Sequence, residues 1–248
     1  MLSPLEWSLL LGTAAGGANV LGGLIIVSRR HWSDLVLKYF LALGAGFMLA
    51  ATFLRMLPES LKLSSQAPLL ILGGYFLVHF FEHTIAPHFH FGEETHPELL
   101  LRPAAGWLAV IGLGVHTLFD GVAIAAGFMV SPTLGGLLFL AVIVHKVPEG
   151  FTIASIMLAG GYSRAAALTA GAALGVLTLA GAVLTGLIAE QHVGYALALS
   201  AGVTIYIAAS DLIPEVNREG GPALAWTVFA GLLFFVLADW LLSAFVSH

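Results

Sequence analysis

Cysteine is absent from this 248-residue chain, which excludes thiolate metal sites and structural disulfides and leaves the redox compartment open. Charge is scarce. Only 9% of residues are Asp, Glu, Lys or Arg, against about 25% in ordinary soluble domains. There is no run of basic residues to hold a nucleic acid, and the formal net charge is −5. The N-terminus starts apolar at Leu2 with Glu6 nearby and without a basic leader, so no cleaved signal peptide is expected. What fills the chain is apolar surface, 59% of residues, more than a soluble core can use. The excess must face lipid, and the fold class is an all-α integral membrane protein.

A membrane helix needs roughly 20 predominantly apolar residues. Eight stretches fit: 5–27, 35–57, 68–85, 104–130, 134–157, 165–189, 193–213 and 223–246. Short polar or Gly- and Pro-containing breaks separate them, such as Ser131-Pro132-Thr133. One connection is long, at about 86–103, rich in His and Glu and without a core of its own, so a single membrane domain over 1–248 is expected. With the N-terminus outside, Arg29, Arg30, Lys38, Arg102, Arg164 and Arg218 share one side, and Arg55 and Lys62 lie on the other. The positive-inside rule then puts both termini outside and the His-rich loop in the cytoplasm. The compact chain with short loops fits a bacterial inner membrane. Its expected partners are the lipid bilayer and divalent metal ions; a homodimer is compatible with the pattern.

Ionisable groups within apolar spans are costly and mark function. The fourth span reads His116-Thr117-Leu118-Phe119-Asp120-Gly121 and the fifth His145-Lys146-Val147-Pro148-Glu149-Gly150. Each is a histidine, three residues, a carboxylate and a glycine. Spacing i,i+4 puts imidazole and carboxylate on one helix face. Two facing helices then offer four N and O donors, which suits tetrahedral zinc. Gly121 and Gly150 permit close approach, and Pro148 bends its helix and frees the Val144 carbonyl beside the site.

A second echo lies outside this pair. Arg55-Met56-Leu57-Pro58-Glu59 ends the second span and Asp211-Leu212-Ile213-Pro214-Glu215 the seventh. These spans hold corresponding places in two three-helix groups that flank the central pair. An odd number of spans separates the starts of the groups, so they insert as inverted repeats in a 3+2+3 arrangement, as in many secondary transporters. Glu59, Asp211 and Glu215 are expected to mark the two ends of an ion path.

At these residues the sequence resembles the ZIP (Zrt-/Irt-like) divalent metal transporters, over its whole length. The resemblance implies a carrier rather than an enzyme, with no cofactor beyond transported Zn2+ or a related ion (iron, manganese, cobalt or cadmium). It implies His116, Asp120, His145 and Glu149 as ligands, joined by a Met48 thioether. Many members hold two metals, with Asn or Asp following the two histidines. Here Thr117 and Lys146 stand there, so one metal per site is expected, with the Lys146 ammonium replacing the second cation. His79, His83, His88, His90 and His96 form a candidate metal trap. His79-Phe80-Phe81-Glu82-His83 also matches a His-x-x-Glu-His pattern, which gives an intramembrane zinc metallopeptidase as the rival reading. A metal-ion channel is the other alternative.

Histidines must be neutral to bind a metal, so protons compete with the ion. Metal uptake should weaken as pH falls through about 6.5, the ordinary imidazole value. Uptake that persists undiminished well below it would exclude imidazole ligation.

Overall fold

The computed structural model describes residues 2–28, 34–84, 103–218 and 221–246. Among them the chain is helical, with no strand. The helices are α1 (Pro4–Val27), α2 (Asp34–Ala51), α3 (Leu57–Leu63), α4 (Ala67–Thr84) and α5 (Pro103–Val130). They continue with α6 (Pro132–Ala159), α7 (Arg164–Gly186), α8 (Val193–Tyr206), α9 (Ile213–Arg218) and α10 (Pro222–Val246). Starts are capped as the sequence allows. Ser3 and Glu6 close a capping box ahead of Pro4, and the Ser131 and Ser163 hydroxyls accept from Leu134 and Ala166 N–H groups.

Seven helical stretches among the described residues are long and apolar enough to cross a membrane. The stretch expected as the third span is α4, of 18 residues; its last turns carry His79, Glu82 and His83, and it is not one of the seven. The second and seventh expected spans both run further than 57 and 213, to Leu63 and Asn217. They do so through a feature that apolar patterning cannot show. A π-helical turn, Thr52–Met56, joins α2 to α3, and another, Ile207–Leu212, joins α8 to α9. In each the backbone bond reaches back five residues, from Leu57 to Thr52 and from Ile213 to Ala208. Pro58 and Pro214 stand two positions beyond the ends of these turns. Proline lacks an N–H and its ring crowds the carbonyl four residues earlier, so the ladder slips by one residue instead of breaking.

The helices gather in two sets. In one, α1 packs on α6 and α7, and α5 on the same two; in the other, α2 packs on α10 and α4 on α8. Contacts of α2 with α6 and of α5 with α8 join the sets. In lipid little hydrophobic force draws helices together, so tight association rests on small residues at the crossings. Four crossings share one geometry: Gly22 with Gly150, Gly121 with Gly181, Gly46 with Gly231, and Gly74 with Gly202. A Cβ on any of these would collide with a backbone carbonyl of the facing helix, three residues before the partner glycine. Large apolar side chains point outward instead, among them Leu69, Leu187, Trp226, Phe229 and Leu233.

Gly121→Ala puts its methyl against the Thr178 carbonyl, whereas Gly17 faces open space. Overpacking of this kind costs about 1–3 kcal/mol. Purified Gly121→Ala should melt at a clearly lower temperature than the parent in a detergent thermal scan, and Gly17→Ala should not.

Candidate metal centre

The two ligand-bearing helices pack against one another, with Pro148 inside α6 between His145 and Glu149. From α5 come His116, Thr117 and Asp120; from α6 come His145, Lys146 and Glu149. All are 0–5% exposed. Among the described residues His116, Asp120, His145 and Glu149 form one group whose ligand atoms lie within 4.8 Å of one another.

Three of these atoms make a nearly equilateral triangle. His116 Nε2 is 3.2 Å from Asp120 Oδ2, His145 Nε2 is 3.3 Å from the same oxygen, and the two Nε2 atoms are 3.3 Å apart. A zinc tetrahedron with bonds of about 2.0 Å has edges of about 3.3 Å. The triangle is therefore already the size of one tetrahedral face. Glu149 Oε2 stands further off, 4.0 Å from His116 Nε2. The tautomer of His145 is set locally, because its Nδ1 lies 2.9 Å from the Ala141 carbonyl one turn back. A carbonyl only accepts, so Nδ1 carries the proton and Nε2 keeps a free lone pair for a metal. His116 Nδ1 has no hydrogen-bond partner among the described residues.

Lys146 is fully buried between the carboxylates. Its Nζ is 2.7 Å from Asp120 Oδ2, 2.8 Å from Glu149 Oε2 and 3.3 Å from Thr117 Oγ1. An ammonium has three protons, and three acceptors receive them. The other oxygen of Glu149 accepts from Thr117 Oγ1 at 2.7 Å and from Asn19 Nδ2 at 3.4 Å. Two carboxylates against one ammonium leave the cluster at a formal charge of −1 with both imidazoles neutral. Such a site attracts a cation.

The remaining sequence candidates lie outside this cluster. Met48 lines a small cavity with Met56, Asp120 and His145. Glu59 pairs with Lys62 at 2.8 Å and lines, with Arg55, Ser131 and Thr133, a separate cavity at the adjoining ends of α3, α5 and α6. Arg55 pairs with Asp239 of α10 at 2.5 Å. Asp211 is buried in the second π-turn, and Glu215 is half-buried on α9. His79 and His83 do not belong to a loop: they lie exposed on the last turns of α4, with ring centroids 4.1 Å apart, while Glu82 between them is buried. The three side chains of that motif form no ligand group. His88, His90 and His96, with the loop expected at about 86–103, lie outside the described residues, α5 itself beginning at Pro103.

Sequence reasoning passed over Asn19 and Asp239. Asn19 is a lone amide among the small and apolar residues of α1, and that isolation was a usable signal. Asp239 is the one acid in the apolar run of α10, but nothing local ties it to Arg55, 184 residues earlier.

A bundle of apolar helices closed around buried imidazoles and carboxylates defines a multi-pass membrane protein whose core could hold a metal ion. The family model described as ZIP Zinc transporter matches residues 88–239, and the chain belongs to that family. It is 32% identical over 151 residues to zinc transporter SLC39A7 of Homo sapiens, covering 57% of this chain and 32% of that protein. It is 31% identical over 123 residues to zinc transporter zipt-7.1 of Caenorhabditis briggsae, covering 47% and 31%. To zinc transporter foi of Drosophila melanogaster it is 32% identical over 126 residues, covering 50% and 17%. The chain thus spans no more than about a third of these relatives. They are animal proteins, so they lend nothing to the expectation of a bacterial inner membrane.

Proposed function

We propose that this chain carries a divalent transition metal, zinc first, across a bilayer by alternating access around His116, Asp120, His145 and Glu149. The observation that carries this reading is the triangle of two imidazole nitrogens and one carboxylate oxygen, sized for a tetrahedral ion and buried among apolar helices. Names of the family and of its relatives as zinc transporters support the same cargo. His145 presents a fixed lone pair, Asp120 a shared oxygen, and Glu149 closes the fourth corner with a small displacement toward the triangle. The Met48 thioether adds a soft donor at the edge of the site.

In this reading the 248 residues act as one transport domain of eight spans, α4 being the third. The spans are arranged 3+2+3 as inverted repeats, with both termini outside. Glu59 receives ions at the outer end, and Asp211 and Glu215 pass them on at the cytoplasmic end. The two π-turns support this pairing, since each precedes a Pro-Glu at a matching place in its three-helix group. Nothing in the cluster is left over to act as a catalytic base, and the His-x-x-Glu-His residues do not converge, so a carrier fits better than a peptidase. One ion binds at a time, because Lys146 already fills the place of a second cation.

Reconstituted in liposomes, the protein should take up zinc, and a His145→Ala/Glu149→Ala variant should not. If the parent moves neither zinc nor its first-row neighbours in either direction, the carrier reading falls and a peptidase assay follows.

Lys146 fixes the charge balance of the transport cycle. With it the site passes from −1 empty to +1 loaded; without it, from −2 to 0. A more negative site binds a dication more tightly and releases it more slowly. Lys146→Met should therefore lower both the half-saturating zinc concentration and the maximal flux. Unchanged values for both would rule out the balancing role.

A further inference from the structure

Asn19 reaches the site from α1, and half of its amide is spoken for. It is fully buried, and its Nδ2 donates to Glu149 Oε1. Its Oδ1 is also buried and has no hydrogen-bond partner among the described residues. Native interiors seldom leave an acceptor unused, and one beside a functional site asks for an occupant.

The neighbouring lysine supplies one. Asp120 Oδ2 receives the Lys146 ammonium at 2.7 Å, and the same oxygen is a corner of the triangle facing both histidine Nε2 atoms. A divalent cation seated on that triangle takes this oxygen for itself. At such range two positive charges repel strongly in a low-dielectric interior, so the ammonium has to give up Asp120. Its other acceptors are Glu149 Oε2 and Thr117 Oγ1, which leaves one proton unserved. Thr117 and Asn19 both donate to Glu149 Oε1. An ammonium that pivots around the Glu149 carboxylate, away from Asp120, thus moves toward Thr117 and the Asn19 amide.

We propose that Asn19 Oδ1 receives the Lys146 ammonium when a divalent cation takes Asp120. Tethered cation and cargo exchange places on one carboxylate, and the lysine keeps its proton throughout. Asn19 is then a positioning residue that sets metal affinity through Lys146 without touching the metal. The proposal rests on the metal-carrier reading above and adds to it a defined resting place for the displaced charge.

The test is equilibrium Zn2+ binding to the purified full chain in nanodiscs, read by competition with a chelating dye and requiring no transport. Asn19→Leu removes the acceptor and should weaken Zn2+ binding about tenfold or more, the scale of one hydrogen bond to a charged group. Asn19→Asp, when ionised, accepts but cannot donate, and its added negative charge should keep Zn2+ binding at least as tight as in the parent. In a Lys146→Met background, Asn19→Leu should change the affinity little, because no ammonium needs a place. Equal losses from Asn19→Leu in both backgrounds would overturn the proposal in favour of a packing role. A loss in Asn19→Asp as large as in Asn19→Leu would overturn it too, pointing to the bond donated to Glu149. Should the leucine variant fail to fold, Asn19→Ala takes its place in the same cycle. A parent that binds no Zn2+ brings down the metal-site reading itself, an outcome distinct from either.

Discussion

A charged lysine in a membrane interior depends on the Asp120–Lys146–Glu149 arrangement, and the rest of the site depends on it in turn. Taking an ion out of water costs several kcal/mol even after relaxation, and pairing repays this only when every proton and lone pair is met. Lys146 meets that condition, with an acceptor for each N–H. Removing either carboxylate would leave one ammonium proton without its acceptor, and removing the lysine would leave two like charges side by side. The same contacts orient Asp120 toward the two imidazoles. Charge compensation and ligand geometry are therefore one arrangement and not two.

The close backbone approaches lie on the outer sides of the α5–α6 pair, where each helix meets a neighbour. Gly121 fits against the Thr178 carbonyl of α7, and Gly150 against the Asn19 carbonyl of α1. These glycines sit one residue after Asp120 and Glu149. The helices that carry ligands are thus clamped by their neighbours right at the ligands. The Gly150 crossing also delivers the Asn19 side chain to Glu149, so a packing contact of α1 becomes a polar contact of the site.

Away from the cluster, two proline-driven π-turns break the regularity of the helices they join. The first turns Met56 inward to the cavity shared by Met48, Asp120 and His145. It leaves Arg55 beside Glu59 in the second cavity, held by Asp239. The second buries Asp211. A helix that shifts register by one residue rotates the side chains beyond it onto a different face, so a single helix can face outward at one level and the buried interior at another. The matched placement of the two turns gives physical content to the inverted-repeat reading.

Much of this was legible in residue order. Apolar run length marked the helices, because a bilayer has a fixed thickness; i,i+4 spacing marked His116 with Asp120 and His145 with Glu149, because a helix has a fixed pitch. Repetition of that pattern singled out the pair, whereas Pro58 and Pro214, read as span ends, proved to lie within helical stretches that run on to Leu63 and Asn217. Other features needed the fold. Asn19 meets Glu149 across 130 residues, and Arg55 meets Asp239 across 184. No local period encodes such distances, since they arise from which helices cross and at which glycine. The π-turns also stayed hidden, because one extra residue in a helical turn leaves the apolar pattern nearly unchanged. Helical pitch and bilayer thickness are local constraints and can be read from the chain. The meeting of three acceptors on one ammonium, and the orphaned oxygen beside it, is a property of packing alone.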